Sequence, residues 1–225
     1  MLNGKYKFEL HCHTSETSPC SGITAKELVE LYKKAGYDGM VITDHLIADI
    51  QGKKGSVEWN DAVNRFLKGW RAAKAEGEKL GLPVFLGAEI RFPKSLNDYL
   101  VMGLTEKLLE ENEWLYELDL PQFYRFADKN GLLVIQAHPF REMCSRADPK
   151  YLHGAEVYNG HAGHNSHNDL ALAFAEENGL IPTAGSDCHY IGAVGTACVC
   201  FDKMPETTKD IVECLKSGAY SINDK

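Results

Sequence analysis

The first regular pattern along the chain is a strict alternation at residues 5–13, Lys-Tyr-Lys-Phe-Glu-Leu-His-Cys-His. Tyr6, Phe8, Leu10 and Cys12 fall on one face and Lys7, Glu9, His11 and His13 on the other, the period of a half-buried strand. At Thr24-Ala25-Lys26-Glu27 the period changes. A capping box opens a helix with Leu28, Leu31 and Tyr32 on its inner face, and Gly36 stops it. From there a cadence of helix, glycine, apolar strand and ionisable residue recurs. It ends successively at Asp44-His45, Glu89, His138 and Asp187. Further strands are expected near residues 98–104, 154–158 and 196–201.

Short apolar strands alternating with helices predict an α/β fold with a mostly parallel sheet. About seven or eight strands in 225 residues favour a small TIM-like barrel over an open sheet. The composition, 44% hydrophobic and 25% charged with no low-complexity tract or linker, suits one domain over residues 1–225. Too few residues separate Glu89 from Asp98 for a helical crossover. The strand beginning at Asp98 is therefore expected to run antiparallel and return Asp98 to the rim that holds Glu89.

That rim carries the candidate chemistry. Parallel strands put their C-terminal ends on one face, where α/β proteins build their sites. His11 and His13, one residue apart on a strand, share a face and can chelate one ion, while Cys12 points into the packing behind. Asp187 and His189 repeat that spacing. Imidazole and carboxylate together are usual ligands of Zn, Mn and Fe. Crowding so many of them without cations would cost desolvation and carboxylate repulsion. By contrast, His161, His164 and His167, in the Gly/Asn-rich stretch 159–168, read as a solvated loop and helix cap. His153 reads as exposed, and Cys198 and Cys200 as core thiols.

Charge narrows the partners. A formal net charge of −8 lacks the positive field of duplex binders, yet bound cations would still admit a small phosphorylated substrate. Seven irregularly spaced cysteines do not form a disulfide framework and suit a reducing cytoplasm. The first seven residues have no apolar signal core, and no run approaches the roughly 20 apolar residues of a membrane span. A cytoplasmic protein without membrane contact is expected.

The motifs His11-Cys12-His13-Thr14, Ile42-Thr43-Asp44-His45, Gly87-Ala88-Glu89, Ala137-His138-Pro139 and Gly185-Ser186-Asp187-Cys188-His189 occur in one order over most of the chain. In this the sequence resembles the PHP (polymerase and histidinol phosphatase) family of metal-dependent phosphoesterases. The resemblance implies a distorted (β/α)7 barrel holding two to three divalent ions, Zn, Mn or Fe. It implies that His11, His13, Glu89 and Asp187 hold a first ion, that Glu89 bridges to a second bound by His138, and that His45 and His189 hold a third. Two places depart from the family pattern. Where many relatives have a further histidine after the bridging glutamate, this chain has Asp98, either a second-ion ligand or a proton donor. Where relatives supply a histidine or aspartate to the third ion, it offers Cys20, with Glu16 as runner-up.

The implied reaction is hydrolysis of a phosphomonoester by a hydroxide held between the ions. Glu89, Asp98 and Arg141 are the candidate catalytic groups, Arg141 as a fork-shaped grip on phosphate and Arg91 as a weaker candidate. A metal-dependent amidohydrolase also begins with His-x-His, but its binuclear form commonly bridges through a modified lysine. A catalytically silent regulatory module is the third reading. Charge and composition favour a small phosphorylated metabolite or nucleotide over nucleic acid, except as a 5′-end substrate. The loops at 47–59, 141–150 and 159–168 carry no motif that names it.

Overall fold

The computed structural model describes residues 5–224. Strand β1 (Tyr6–Glu9) is followed by α1 (Ala25–Lys34), β2 (Gly39–Ile42), β3 (His45–Leu46), α2 (Ala48–Gln51) and α3 (Trp59–Leu80). Next come β4 (Val84–Leu86), β5 (Ala88–Arg91), β6 (Asp98–Met102), α4 (Glu106–Glu111), α5 (Leu120–Lys129) and β7 (Leu133–Gln136). The chain ends with β8 (Gly154–Asn159), α6 (Asn168–Asn178), β9 (Ile181–Gly185), β10 (Ala197–Phe201), α7 (Thr208–Ser217) and β11 (Tyr220–Asp224).

These strands form two mixed sheets, β11-β10-β1-β2-β4 and β3-β5-β6-β7-β8-β9, where a TIM-like barrel was expected. The division has a local cause. β2 continues into β3 past Thr43-Asp44, and β4 into β5 past Gly87, so each pair is one strand interrupted where the site begins. Backbone bonds still cross the interruption, from Gly87 N to Ile42 O (2.9 Å) and from Glu89 N to Asp44 O (3.0 Å). A second seam lies between β1 and β9, where Cys12 bridges Cys188 and His13 N donates to Cys188 O (3.1 Å).

The anticipated strand over residues 5–13 stops at Glu9. Its carboxylate takes over the role of a ladder acceptor: Oε1 receives His11 N–H (2.8 Å) and Ser186 N–H (3.0 Å), and Oε2 receives Tyr32 OH (2.7 Å). Burial pushes the Glu9 carboxyl above its ordinary pKa, against these bonds. β6 runs antiparallel to β5, with Arg91 opposite Asp98, as the short connection requires. β11, absent from the sequence expectations, pairs antiparallel with β10.

Phe8, Val41, Phe85, Leu100 and Ile135 from the strands pack with Ile211, Val212 and Leu215 of α7. Full burial of each such side chain contributes about 1.5–3 kcal/mol. Helix α1 starts with one half of the expected capping box, Thr24 Oγ1 accepting Glu27 N–H (3.3 Å), but Leu31 is only partly buried and Val29 fills the inner face. Helix α3 crosses the site loop so closely that a Cβ on Gly69 would overlap Thr14 Oγ1. Among the described residues no helix is long and apolar enough to cross a membrane.

Candidate metal centre

Six strand ends converge. Residues after β1 bring His11 and His13, β3 brings His45, β5 Glu89, β6 Asp98, the end of β7 His138, and the end of β9 Asp187 and His189. The Glu89 carboxylate, 1% exposed, lies among four rings. Its Oε1 is 3.4 Å from His11 Nε2 and 3.2 Å from His138 Nε2. Its Oε2 is 3.5 Å from His13 Nε2 and 2.9 Å from His45 Nδ1. Asp187 Oδ1 is 3.4 Å from the Nε2 atoms of both His11 and His13. The ligand atoms fall into overlapping groups, among them His11–His13–Glu89, His11–His138–Asp187, Glu89–Asp98–His138 and His13–His45–His189.

The outer nitrogens of these rings are spoken for. His11 Nδ1 lies 2.8 Å from Glu156 Oε1, an acceptor, so it carries the hydrogen and leaves Nε2 bare. Ser18 gives its one proton to Asp44 Oδ1 (2.7 Å), so its oxygen accepts from His13 Nδ1 (3.5 Å). His189 Nδ1 donates to the Asp187 carbonyl (2.9 Å). His11 Nε2 and His13 Nε2 are then buried, without hydrogen-bond partners, and turned toward carboxylates. Bare imidazole nitrogens beside carboxylate oxygens fit a divalent cation, with the outer bonds fixing ring orientation.

Charge in the cluster follows the same geometry. Burial opposes ionisation of Glu89 and Asp187, but neighbouring rings, His11 foremost, hold both carboxyls well below the ordinary range. Burial, with help from His45 and His189, lowers His13 to about 3. At His138 and His189 burial is outweighed by Cys144 and Glu89 on one ring and by Asp187 and Cys20 on the other, which raise each to about 10. Two of the residues, His138 (φ 28°) and Asp187 (φ 47°), adopt left-handed backbone conformations uncommon for side chains of their kind. Beneath them the backbone is close-set: a Cβ on Gly185 would overlap His11.

Asp98 joins Glu89 and His138, and both of its oxygens are gripped by Arg91, Nε to Oδ1 and Nη2 to Oδ2, each at 2.7 Å. Arg91 is therefore committed to Asp98. The exposed Cys20 makes thiol contacts with the rings of His45 and His189; burial of its sulfur opposes ionisation, but these contacts bring it to about 6. Glu16 faces elsewhere, accepting Ala25 N–H (2.8 Å) at the start of α1. Arg141 is half-buried at the rim, and its charge acts on the rings of His161 and His164.

Three participants were not among the sequence candidates. Glu9 organises the end of β1. Glu156, fully buried on β8, also accepts His138 N–H and Asn159 Nδ2, both at 2.9 Å. Asn159 Nδ2 reaches Asp187 Oδ2 as well (3.2 Å). The signal for Glu156 was a carboxylate between Ala155 and Val157 in the middle of a strand. The expectation for His161 and His164 needs correction: their loop is folded over the cluster. The two rings stack at 4.5 Å, and His164 Nε2 lies 3.6 Å from Asp187 Oδ2. The structural reason is Asn159, which anchors the loop through bonds from His161 N and Ser166 Oγ. His153 is also half-buried, its Nδ1 accepting Val134 N–H (3.1 Å).

An α/β protein with a carboxylate-centred histidine cluster at its strand ends is thus defined by fold and site. Residues 165–220 match the PHP-associated family model. An uncharacterized protein of Methanocaldococcus jannaschii is 28% identical over 198 residues, covering 88% of this chain and 71% of its own. The fold is similar to that of PsfC from Pseudomonas syringae, with a TM-score of 0.70 at 16% identity, covering 98% of this chain and 91% of PsfC. It is also similar to a two-domain protein of Bacteroides vulgatus containing a predicted PHP-like metal-dependent phosphoesterase (TM-score 0.69, 18% identity, 97% of this chain and 64% of that one). An amidohydrolase from Chromobacterium violaceum with bound sulfate follows at TM-score 0.55 and 14% identity, covering 96% and 97%. Family match and shared fold bear out the resemblance to the PHP family.

Proposed function

We propose that the protein is a metal-dependent phosphoesterase acting on a small phosphomonoester. The observation that carries this is the Glu89 carboxylate, whose two oxygens face His11 and His138 on one side and His13 and His45 on the other. A carboxylate so placed suits a bridge between cations. Divalent ions held there supply Lewis-acid stabilisation and an activated water. Around them, Glu156, Ser18 and the Asp187 carbonyl fix the rings of His11, His13 and His189. Arg141 and His161 stand at the rim to hold phosphoryl oxygens. His161 Nδ1 accepts Gly163 N–H (2.9 Å), which leaves Nε2–H as a donor. We also read the two sheets as parts of one distorted (β/α)7 barrel, supported by the backbone bonds across both seams.

The fold shared with the Chromobacterium amidohydrolase favours a second reading, an amide or C–N hydrolase. Glu89 in place of a modified lysine at the bridge weighs against it. Steady-state assays of metal-reconstituted protein against phosphomonoester and amide panels test the proposal. Turnover confined to phosphomonoesters supports it, and turnover confined to amides would overturn it.

A further inference from the structure

We propose that His164, on the loop between β8 and α6, is a further ligand of the metal centre, completing the coordination of the ion beside His138. The proposal rests on the reading of the cluster as a metal site, and its own support is the hydrogen-bond chain leading to His164.

That chain can be followed from the buried carboxylates outward. Ionised, Asp187 can only accept, and Glu156 is already accepting from His11 Nδ1 and His138 N. The Asn159 group that meets both carboxylates, at 2.9 and 3.2 Å, is therefore its NH2. Its Oδ1 is then the acceptor for His161 N–H (3.1 Å) and is within reach of the hydroxyl of Ser166 (3.4 Å). A serine hydroxyl has one proton. Ser166 can place that proton on Asn159 and so accept from His164 Nδ1 (3.2 Å). In that tautomer His164 carries its hydrogen on Nδ1 and turns a bare Nε2 toward Asp187 Oδ2, 3.6 Å away.

A shared cation favours that tautomer, because a bare lone pair facing a carboxylate oxygen is otherwise repelled and the ring would carry its hydrogen on Nε2. The same Oδ2 lies 4.0 Å from His138 Nε2, and the His138 and His164 rings meet edge to face at 5.9 Å between centroids. The ligand supply on this side also calls for another donor. Asp98, standing where many relatives have a histidine, shares both its oxygens with Arg91 and so gives a cation only part of its charge. Neighbouring His161 has the opposite tautomer, fixed by the Gly163 N–H on its Nδ1. It can donate to substrate but cannot ligate through Nε2. The two stacked rings therefore divide two tasks.

The test is Mn(II) or Zn(II) affinity, measured by chelator competition and stoichiometry, for the wild-type protein, His164→Phe and His161→Phe. Phenylalanine keeps the stacked ring and removes the nitrogen, and circular dichroism checks the fold. His164→Phe should weaken the more loosely held of the Glu89-linked ions at least about tenfold, and His164→Asp should restore part of the loss. His161→Phe should leave affinity within about threefold. Wild-type affinity in His164→Phe, whether or not KM changes, would overturn the proposal while leaving the metal centre standing. Absence of binding by the wild-type protein would overturn both.

Discussion

Nδ1 of His11 lies 2.8 Å from Oε1 of Glu156, and both residues are fully buried. The contact ties the end of β1 to the middle of β8 and sets which nitrogen of His11 faces the cluster. The same carboxylate receives the backbone N–H of His138 and the amide of Asn159. One buried side chain thus orients one candidate ligand, positions a second, and anchors the loop carrying His164. Carboxylates in this role raise the basicity of the ligating ring and remove its rotational freedom.

Glu156→Gln should therefore weaken metal binding without touching a ligand. An amide has only one acceptor oxygen, so one of the three donors is left facing an NH2. Outer-shell losses of this kind cost about ten- to a hundredfold in metal affinity. Chelator competition measures it, with the melting temperature as a check on folding. Unchanged affinity would mean that His11 needs no orienting partner.

Glu89→Gln should act more broadly. Removing the charge shared by His11, His13, His45 and His138 is expected to lower metal content by at least one equivalent and to reduce hydrolysis by about a thousandfold or more, the scale of losing a principal charge-stabilising group. Near-normal turnover by a folded variant, confirmed by circular dichroism, would remove Glu89 from the bridge.

How much of this was legible from sequence depended on how far apart the partners lie. His11/His13 and Asp187/His189 are visible because one-residue spacing at a strand end dictates a common face. Asp98 was recoverable because the chain from Glu89 is too short for a helix, so the strand had to turn back. Glu156 was not, since its partner His11 lies 145 residues away and only the meeting of β1 with β8 joins them. His164 was misread for a related reason. Its loop has the composition of a solvated turn, and only the buried amide of Asn159 draws it over the cluster. The division into two sheets was not legible, because strand periodicity does not reveal interruptions such as those at Thr43-Asp44 and Gly87.

Cys20 offers a chemical readout. With its thiol lowered to about 6 by contact with His45 and His189, it is largely thiolate at neutral pH. Metal-stripped protein should be alkylated at Cys20 by iodoacetamide faster than a free thiol of ordinary pKa near 8.5 would be. Saturating Zn(II) should slow that reaction about tenfold or more if the sulfur ligates. Peptide mapping of the labelled site measures both rates. Equal rates with and without metal would leave Cys20 beside the centre and not in it.

Stability of the chelated protein should depend on pH in two directions. His138 and His189, raised from 6.5 to about 10, contribute stability fully present below pH 6.5 and lost as pH climbs toward 10. Glu89 and Asp187, held well below 4.5 and 3.8, contribute stability present above those values and lost as pH falls beneath them. His13, lowered to about 3, opposes the gain below pH 6.5, so melting temperature in EDTA should fall both as pH climbs from 6.5 toward 10 and as it drops below about 4. Added metal should stabilise more as pH rises, because cations compete with the same protons. A chelated protein that grows steadily more stable toward pH 9 would contradict the assigned shifts.

The two arginines after Glu89 and His138 should separate cleanly. Arg91 is bound through two nitrogens to Asp98, while Arg141 remains at the rim, its backbone N–H on the His138 carbonyl (3.0 Å) and its charge directed at His161 and His164. A guanidinium so placed can meet a phosphoryl group as it approaches the cluster. Arg141→Ala should lower kcat/KM by about ten- to a hundredfold, the loss of one charge-assisted contact of about 1.5–3 kcal/mol, with metal content unchanged. Arg91→Ala should do the reverse. It strips Asp98 of its counter-charge, so the freed carboxylate binds the adjacent cation more strongly, and metal affinity should change before KM does. Parallel measurements of metal stoichiometry, KM and kcat on both variants distinguish the roles. If Arg141→Ala alters metal content while Arg91→Ala alters only KM, the assignments are exchanged, and Arg91 is the residue that grips phosphate.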